Sequence, residues 1–209
     1  ASDRQRFAGG DAAAVRAWQE GLRPRLRQLL GLNYMTKTDL APRVTERVQC
    51  DGYTRERVEI DTEPGVTMPL YVLVPDNLQA PVPPVLALHG HGSGGKYAPA
   101  GRRDITAELA AKIDSHNYDY GVQAVREGYV VFIPDARGFG ERREREDWGD
   151  DHLLDSSCKH LAHMGLPLGL TVTGMWVWDL IVLLDYVATR SETAGRKLGC
   201  IGFSGGGLQ

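Results

Sequence analysis

One short stretch near the end of the sequence has the residue types and spacing of a catalytic turn. Gly202, Ser204 and Gly206 occupy the fixed positions of the pattern Gly-x-Ser-x-Gly, and residues 198–201 before them are typical of an apolar strand. In this pattern a strand turns sharply into a helix, and the serine lies at the apex in a strained backbone conformation. Side chains at the two glycine positions would collide where the strand meets the helix. The stretch therefore predicts a nucleophilic Ser204.

A serine hydroxyl needs help to act as a nucleophile at neutral pH. It requires a histidine base and a carboxylate that orients the histidine, and in a strand-turn-helix setting both follow the serine in the chain. The sequence reads only as far as Gln209, and neither group follows Ser204. We therefore expect the acid and the histidine in a segment beyond residue 209 or in a second chain. A glycine-rich turn with a chance serine is the competing interpretation.

A second glycine-rich stretch, residues 89–96, follows an apolar strand at residues 85–88 and reads His-Gly-His-Gly-Ser-Gly-Gly-Lys. Ligands of open α/β sheets bind outside the carboxyl ends of the strands, where this loop and the serine are both expected. An acyl carbonyl attacked by Ser204 would become an oxyanion that needs two preorganised donors. The predicted oxyanion hole consists of the backbone N–H groups of His91 and Gly205.

The same loop allows two other interpretations. Residues 90–96 satisfy the first seven positions of the phosphate-binding pattern G-x-x-x-x-G-K-[ST], but Tyr97 stands where a small hydroxyl should contact Mg²⁺. His89 and His91 also suggest a metal site, although the sequence has no H-E-x-x-H motif. Further histidines for such a site would be His152, His160 and His163. Structural roles are preferred for these histidines, and we expect neither a metal nor a cofactor.

Residues 135–140, Asp-Ala-Arg-Gly-Phe-Gly, follow another apolar strand at the same edge of the sheet. Because buried charges need partners, we expect Asp135 and Arg137 to pair and hold this turn; a substrate-facing Arg137 is the alternative. The insert that follows, residues 141–173, is long for a connection between a strand and a helix, and such loops are often lids or pocket walls. Its candidate pocket-lining residues are Trp148, His152 and Met164.

The elements that must position these groups can be predicted from periodicity. Residues 11–30 have the apolar spacing of a helix, with Trp18 as its anchor on the domain and Pro24 as a point where it could kink or split. Residues 55–61 and 69–74 predict an antiparallel hairpin. We expect residues 1–50 to form a helical lead-in, and residues 51–209 to belong to one α/β domain.

From residue 85 onward, apolar strands alternate with helices, which predicts a parallel sheet covered on both faces. The predicted strands are residues 85–88, 129–133 and 198–201, and the predicted helices are residues 118–127 and 174–190. Trp176 and Trp178 lie on the second helix with its apolar stripe, so we expect them in the core.

Composition and charge exclude several classes of protein. The net charge of -3 gives no indication of a nucleic-acid partner or of an anionic membrane surface. The three cysteines are far apart in the sequence and predict free thiols. No apolar run approaches the roughly 18 residues needed to span a bilayer, and the N-terminus lacks a signal-peptide core. We expect a cytoplasmic protein, with a processed, secreted form left open because residue 1 is Ala.

Four stretches come in the order seen in α/β-hydrolases: residues 85–92, 128–142, 174–186 and 202–207. Within that superfamily the chain resembles the dienelactone hydrolase and acetyl xylan esterase-like branch, most specifically in its GFGER turn and GFSGGG elbow. The resemblance covers residues 55–209. It implies an α/β-hydrolase fold with a mostly parallel sheet, an antiparallel hairpin at its start, and an incomplete C-terminal part.

The resemblance also implies a cofactor-free carboxylic ester hydrolase in which Ser204 forms an acyl-enzyme that water then releases. The expected partner is a small-molecule ester such as an acetylated carbohydrate. A non-catalytic, hydrolase-like binding domain is the alternative. Without further strands, residues 198–201 would form an exposed apolar sheet edge, so we expect the 209 residues alone to be inactive and to associate.

Overall fold

The computed structural model describes residues 6–144 and 152–209, and a mixed six-stranded sheet runs through this part of the chain in the order β1-β2-β3-β5-β4-β6. The strands are β1 (Arg43–Gln49), β2 (Tyr53–Glu63), β3 (Val66–Pro75), β4 (Pro84–Leu88), β5 (Val130–Pro134) and β6 (Gly199–Gly202). Within the described ranges, the three pairings from β1 to β5 are antiparallel, and β4 pairs in parallel with β5 and β6. Parallel pairing is therefore confined to the last three strands and does not predominate in the described sheet.

Helices cover both faces of this sheet. They are α1 (Ala12–Leu30), α2 (Ala107–His116), α3 (Tyr120–Arg126), α4 (Cys158–Gly165) and α5 (Val172–Thr189). On one face Leu183 and Tyr186 of α5 belong to the same buried core as Val72, and on the other Val125 of α3 belongs to the same buried core as Leu73. Successive residues of β3 thus enter opposite cores, which explains its continuous apolar run.

Strand β1 lies inside residues 1–50, which we expected to form a helical lead-in. The prediction that this segment is helical as far as residue 50 is therefore wrong. The predicted hairpin is present as β2 and β3, and β1 adds a third antiparallel strand beside β2. Ion pairs across the two strands hold it, with Arg43 2.9 Å from Asp61 and Arg47 2.7 Å from Glu56. Six of its seven residues are exposed, so the strand has no buried apolar face to mark it in the sequence.

Helix α1 forms where it was predicted and contains Pro24 without a break. The Asp11 carboxylate caps it by accepting hydrogen bonds from the amides of Ala13 and Ala14, each at 2.9 Å. Within α1, all of which the structure describes, no residue is buried, so its apolar stripe does not enter the core as expected. The half-exposed ring of Trp18 packs against Phe7 with ring centroids 5.5 Å apart.

Helix α5 connects the sheet to the region of the predicted site. By length and composition α5 would suffice to cross a membrane, contrary to our expectation that no run reached this length. Its burial provides another reason for its apolarity, since Trp176, Trp178 and Leu183 are buried in this protein. The two tryptophans thus lie in the core, as predicted. The C-terminal end of α1 packs on α5, where the Leu30 carbonyl accepts a hydrogen bond from Thr171 Oγ1 at 3.0 Å.

Candidate active site

Ser204 lies at the turn between β6 and a short 3₁₀ helix, Ser204–Leu208, and the residue is exposed. Its φ of +53° is in the left-handed region, which residues with a side chain rarely adopt. A Cβ atom on Gly202 would lie 2.3 Å from the Gly206 carbonyl oxygen, and one on Gly206 would lie 2.1 Å from that of Leu88. The backbone segments are too close for any side chain at these two positions. The turn therefore has the strained serine and the steric need for glycine of a nucleophile elbow.

The loop of residues 89–96 contacts this turn directly. A Cβ atom on Gly90 would lie 2.5 Å from the Phe203 carbonyl oxygen and 3.2 Å from Ser204 Cβ. A Cβ atom on Gly205 would lie 2.8 Å from Nδ1 of His91. The structure thus brings Ser204, Gly205 and His91, the three site residues predicted from the sequence, to one place at the carboxyl ends of β4 and β6.

His89 holds the beginning of this loop. Its ring is 1% exposed, and Nε2 accepts a hydrogen bond from the backbone amide of Ala136 at 3.0 Å. Burial lowers the pKa of His89, so the ring is neutral and Nε2 remains an acceptor. That nitrogen is occupied and cannot also bind a metal. Among the residues of 6–144 and 152–209, no three His, Cys, Asp or Glu side chains lie together as a metal site would require.

Lys96 ends the loop and is fully buried. Its Nζ atom lies 2.6 Å from Oδ2 of Asp135 and also contacts Glu141. Burial by itself would lower the pKa of Lys96, but Asp135 and Glu141 raise it above its usual value, so the ammonium stays charged. A phosphate-binding lysine must be free to reach its ligand, and a three-residue 3₁₀ helix, Gly95–Tyr97, stands where a phosphate-binding helix should begin. These contacts argue against the nucleotide interpretation.

The predicted pair of Asp135 and Arg137 is wrong, although both residues have structural partners. Asp135 pairs with Lys96, whereas Arg137 Nη2 lies 2.7 Å from Glu63 and 2.8 Å from Asp179. Partners more than thirty residues away in sequence replace the neighbour two residues away. The guanidinium of Arg137 is therefore bound by two carboxylates of the fold, which argues against a role in contacting the substrate.

Asp179 connects the turn after β5 to helix α5. The Asp179 carboxylate lies 2.6 Å from Arg142 Nη1 and also binds Arg137. Burial alone would raise the pKa of Asp179, but the two guanidinium groups outweigh it and hold the pKa below its usual range. Sequence reasoning missed this residue, because an aspartate among the apolar residues of α5 shows no partner in the sequence.

Aromatic rings form a wall behind the loop. The Phe139 ring meets the rings of His89 and His91 edge-on, with centroids 4.9 Å apart in each case. On its other side the Phe139 ring packs against Trp176 at 5.9 Å. The Trp176 Nε1 donates to the Arg137 carbonyl at 2.9 Å, which ties the wall to the same turn. His91 is thus backed by a buried phenylalanine while its own ring is exposed.

The insert contributes a residue that the sequence did not single out. A Cβ atom on Gly94 would lie 3.2 Å from Cγ of Leu153, so this leucine packs on the loop. Of the three predicted pocket residues, Trp148 lies outside the described residues. His152 Nδ1 lies 3.1 Å from Asp155, and the Met164 side chain is exposed on α4.

Comparison with known proteins places this geometry in a family. Residues 6–208 match the model of the Abhydrolase family. The chain is 28% identical over 153 residues to YtaP of Bacillus subtilis (strain 168), a protein named as a hydrolase. The aligned residues cover 73% of this chain and 46% of YtaP.

Solved structures have the same fold. A Bacteroides fragilis protein described as an acetyl xylan esterase superposes with a TM-score of 0.77 at 24% identity, over 93% of this chain and 49% of that one. Acetyl xylan esterase 1 from Thermoanaerobacterium gives a TM-score of 0.60 at 16% identity, over 88% of this chain and 51% of that one. The chain spans about half the length of the relatives it matches. Because the family match extends from residue 6 to residue 208, this chain belongs to the Abhydrolase family and has the α/β-hydrolase fold that its motifs implied.

Proposed function

We propose that this protein is a carboxylic ester hydrolase in which Ser204 is the nucleophile. The observation that carries the proposal is the left-handed φ of Ser204 at a turn packed against the loop of residues 89–96. In the proposed reaction the Ser204 oxygen attacks the ester carbonyl carbon, and its proton passes to a base. Collapse of the tetrahedral intermediate breaks the bond to the alcohol, which leaves with that proton. Water then adds to the acyl-enzyme, releasing the acid and restoring the hydroxyl.

The oxyanion of the intermediate is proposed to bind the backbone N–H groups of His91 and Gly205. Their support is proximity, since a Cβ atom on Gly205 would lie 2.8 Å from the His91 ring, and both residues adjoin the serine turn. Gly205 is also in the first turn of the 3₁₀ helix, where amide groups lack partners within the helix. One such donor contributes about 3–4 kcal/mol to transition-state stability.

The base and its carboxylate are proposed to come from residues beyond Gln209 or from a second chain. Two observations support this. The matched part of this chain covers 46% of YtaP and 49% of the Bacteroides fragilis protein, and β6 lies at an edge of the described sheet. Side chains next to that edge are apolar and exposed: Ile201 is 47% and Phe203 51% exposed. Such an edge is expected to be covered by further chain.

Small acyl esters, including acetylated carbohydrates, are the proposed substrates. The support is the similarity to two proteins described as acetyl xylan esterases, together with the exposed position of Ser204. The rival proposal is a hydrolase-like domain that binds a ligand through the same cleft without reacting. The two differ in whether Ser204 is activated.

Labelling of the full-length protein with a fluorophosphonate probe tests this difference, because only an activated serine reacts. We expect the parent to be labelled and to hydrolyse p-nitrophenyl acetate and acetylated xylo-oligosaccharides. Ser204→Ala should lose both properties, while the exposed Ser191→Ala control should keep them. Labelling of Ser204→Ala at the parental level would refute the nucleophile assignment, and a parent that binds sugar esters without being labelled would favour the binding domain. Serine-dependent turnover by the 209-residue segment alone would contradict the proposed location of the base.

A further inference from the structure

The loop of residues 89–96 is fastened at both ends to the turn that follows β5. At its beginning, His89 Nε2 accepts the hydrogen bond from the Ala136 amide at 3.0 Å. At its end, the amide of Lys96 donates to Asp135 Oδ1 at 2.7 Å, and Lys96 Nζ donates to Asp135 Oδ2 at 2.6 Å. His91 lies between these two attachments.

The Asp135 carboxylate is enclosed by backbone. A Cβ atom on Gly95 would lie 2.2 Å from Asp135 Oδ1, and one on Gly140 would lie 2.4 Å from the same oxygen. The amide of Glu141 donates to Oδ2 at 3.1 Å, so the carboxylate accepts three hydrogen bonds from two segments of chain. Asp135 therefore fixes the distance between the loop and the turn.

The ammonium of Lys96 completes this attachment. It has no exposed surface, contacts both Asp135 and Glu141, and lies 4.6 Å from the centroid of the Tyr97 ring. Glu141 in turn binds Arg57, whose Nε is 3.2 Å away. A buried ion pair contributes little net stability, because removing two charges from water offsets most of their attraction. Its presence here is better explained by a geometric requirement than by stability.

That requirement comes from the loop itself. Gly92, Gly94 and Gly95 all have positive φ, at 72°, 64° and 71°, so three of the four residues between His91 and Lys96 have no side chain to attach the loop to its surroundings. The fourth, Ser93, donates its hydroxyl only within the loop, to the Gly90 carbonyl at 2.7 Å and the Gly95 carbonyl at 3.3 Å. A donor aimed at a developing charge must be held in place before the reaction, because a displacement of about 1 Å can cost about 100-fold in rate. An attachment at Lys96 supplies this restraint.

We propose that Lys96 and Asp135 are positioning residues, and that their buried ion pair holds the loop so that the His91 amide faces the ester carbonyl at Ser204. This inference rests on the proposed function, because it concerns the oxyanion hole of that reaction. Neither side chain touches the substrate in this proposal. Both act through the backbone of residues 89–96.

Asp135→Asn in the full-length protein is the main test. The side-chain amide of asparagine has nearly the size of the carboxylate. Its NH₂ group cannot accept a hydrogen bond, so it would face N–H donors that now bind a carboxylate oxygen, while Lys96 keeps its contact with Glu141. We expect kcat to fall about 10- to 100-fold and KM to stay within about 2-fold, because the oxyanion exists only in the transition state. Lys96→Met should act in the same direction.

The matched control is Arg190→Met, which removes another ion pair of low exposure, that between the partly buried Arg190 and the buried Glu56 at 2.8 Å. Arg190 follows the C-terminal end of the 18-residue helix α5, whose N-terminal part packs beside Phe139. That places it about 21 Å along the helix axis from Trp176, the residue of α5 that packs against Phe139. This variant should lose stability and keep kcat and KM. An equal loss of kcat in the control would overturn the inference.

A double variant, Lys96→Met with Asp135→Asn, separates positioning from stability. It leaves no unpaired charge from this pair, so it should unfold at nearly the parental temperature while kcat remains low. Recovery of both stability and kcat would overturn the inference, as would parental kcat in folded Asp135→Asn.

Amide hydrogen exchange on residues 90–97 gives a readout that needs no activity. We expect faster exchange in Asp135→Asn, and unchanged exchange would refute the attachment of the loop whether or not the enzyme is active. If the parent shows no Ser204-dependent turnover, it is the proposed function that fails. The two failures are thereby distinguished.

Discussion

A Cβ atom on Gly206 would lie 2.1 Å from the carbonyl oxygen of Leu88, so the serine turn and the end of β4 touch through their backbones. We predict that Gly206→Ala forces these segments apart and lowers the free energy of unfolding by about 1–3 kcal/mol. Urea denaturation measures this loss. The displacement should also remove fluorophosphonate labelling at Ser204.

Gly207→Ala is the matched control for this substitution. Its nearest neighbour would be the Gly202 carbonyl oxygen at 3.9 Å, so a methyl group fits. We expect its stability to stay within about 1 kcal/mol of the parent. Equal destabilisation by the two substitutions would contradict the close packing at Gly206.

The hydrogen bond between His89 and Ala136 leads to a second prediction. His89→Phe leaves the buried Ala136 amide without an acceptor, which should cost about 1–3 kcal/mol of stability. Thermal unfolding at pH 8 measures this cost without interference from histidine protonation. His116→Phe, at an exposed position, should change the melting temperature little.

Burial of His89 also predicts a dependence of stability on pH. Because burial lowers the pKa of His89 in the folded state, the unfolded chain binds a proton first as the pH falls below about 6.5. The contribution of this group is therefore complete above that pH and is lost as the pH falls. His89→Gln should reduce the slope of stability between pH 6.5 and 5, roughly the range in which an unperturbed histidine titrates. An unchanged slope would show that His89 titrates equally in both states.

The buried carboxylate of Asp179 gives a fourth prediction. Asp179→Ala would leave the guanidinium groups of Arg137 and Arg142 buried without this partner, at a cost of about 3–5 kcal/mol. Asp185→Ala removes an exposed ion pair with Lys37, so it should cost less than about 1 kcal/mol. Guanidinium denaturation of both variants compares them. Similar losses would mean that the Asp179 network is solvated in solution.

The core strands and the serine turn could be predicted because each has a local signal. The apolar residues of β4 and β5 are continuous since both faces of the sheet are covered, and the glycines around Ser204 follow from backbone contact within a few residues. Loop 89–96 and the turn were also expected at the same sheet edge, because parallel strands end there together.

Features that depend on distant partners could not be predicted in this way. Strand β1 is exposed and is held by charges on β2, so periodicity gave no sign of it. The partner of Asp135 is Lys96, 39 residues away, whereas the local pattern offered Arg137. Helix α2 was missed although Thr106 caps it by accepting a hydrogen bond from the Leu109 amide at 3.1 Å, since only Leu109 and Ile113 of its residues are buried.

The positive φ of Ser204 has a consequence for how this turn can vary. A residue with a side chain in that region costs about 1–2 kcal/mol, so Ser204→Gly should unfold at a higher temperature than the parent while losing the hydroxyl that we propose as the nucleophile. Thermodynamics alone would favour an unbroken run of glycine from position 204 to 207. A serine at position 204 therefore lowers the stability of the turn, which is the cost expected if its hydroxyl is the proposed nucleophile.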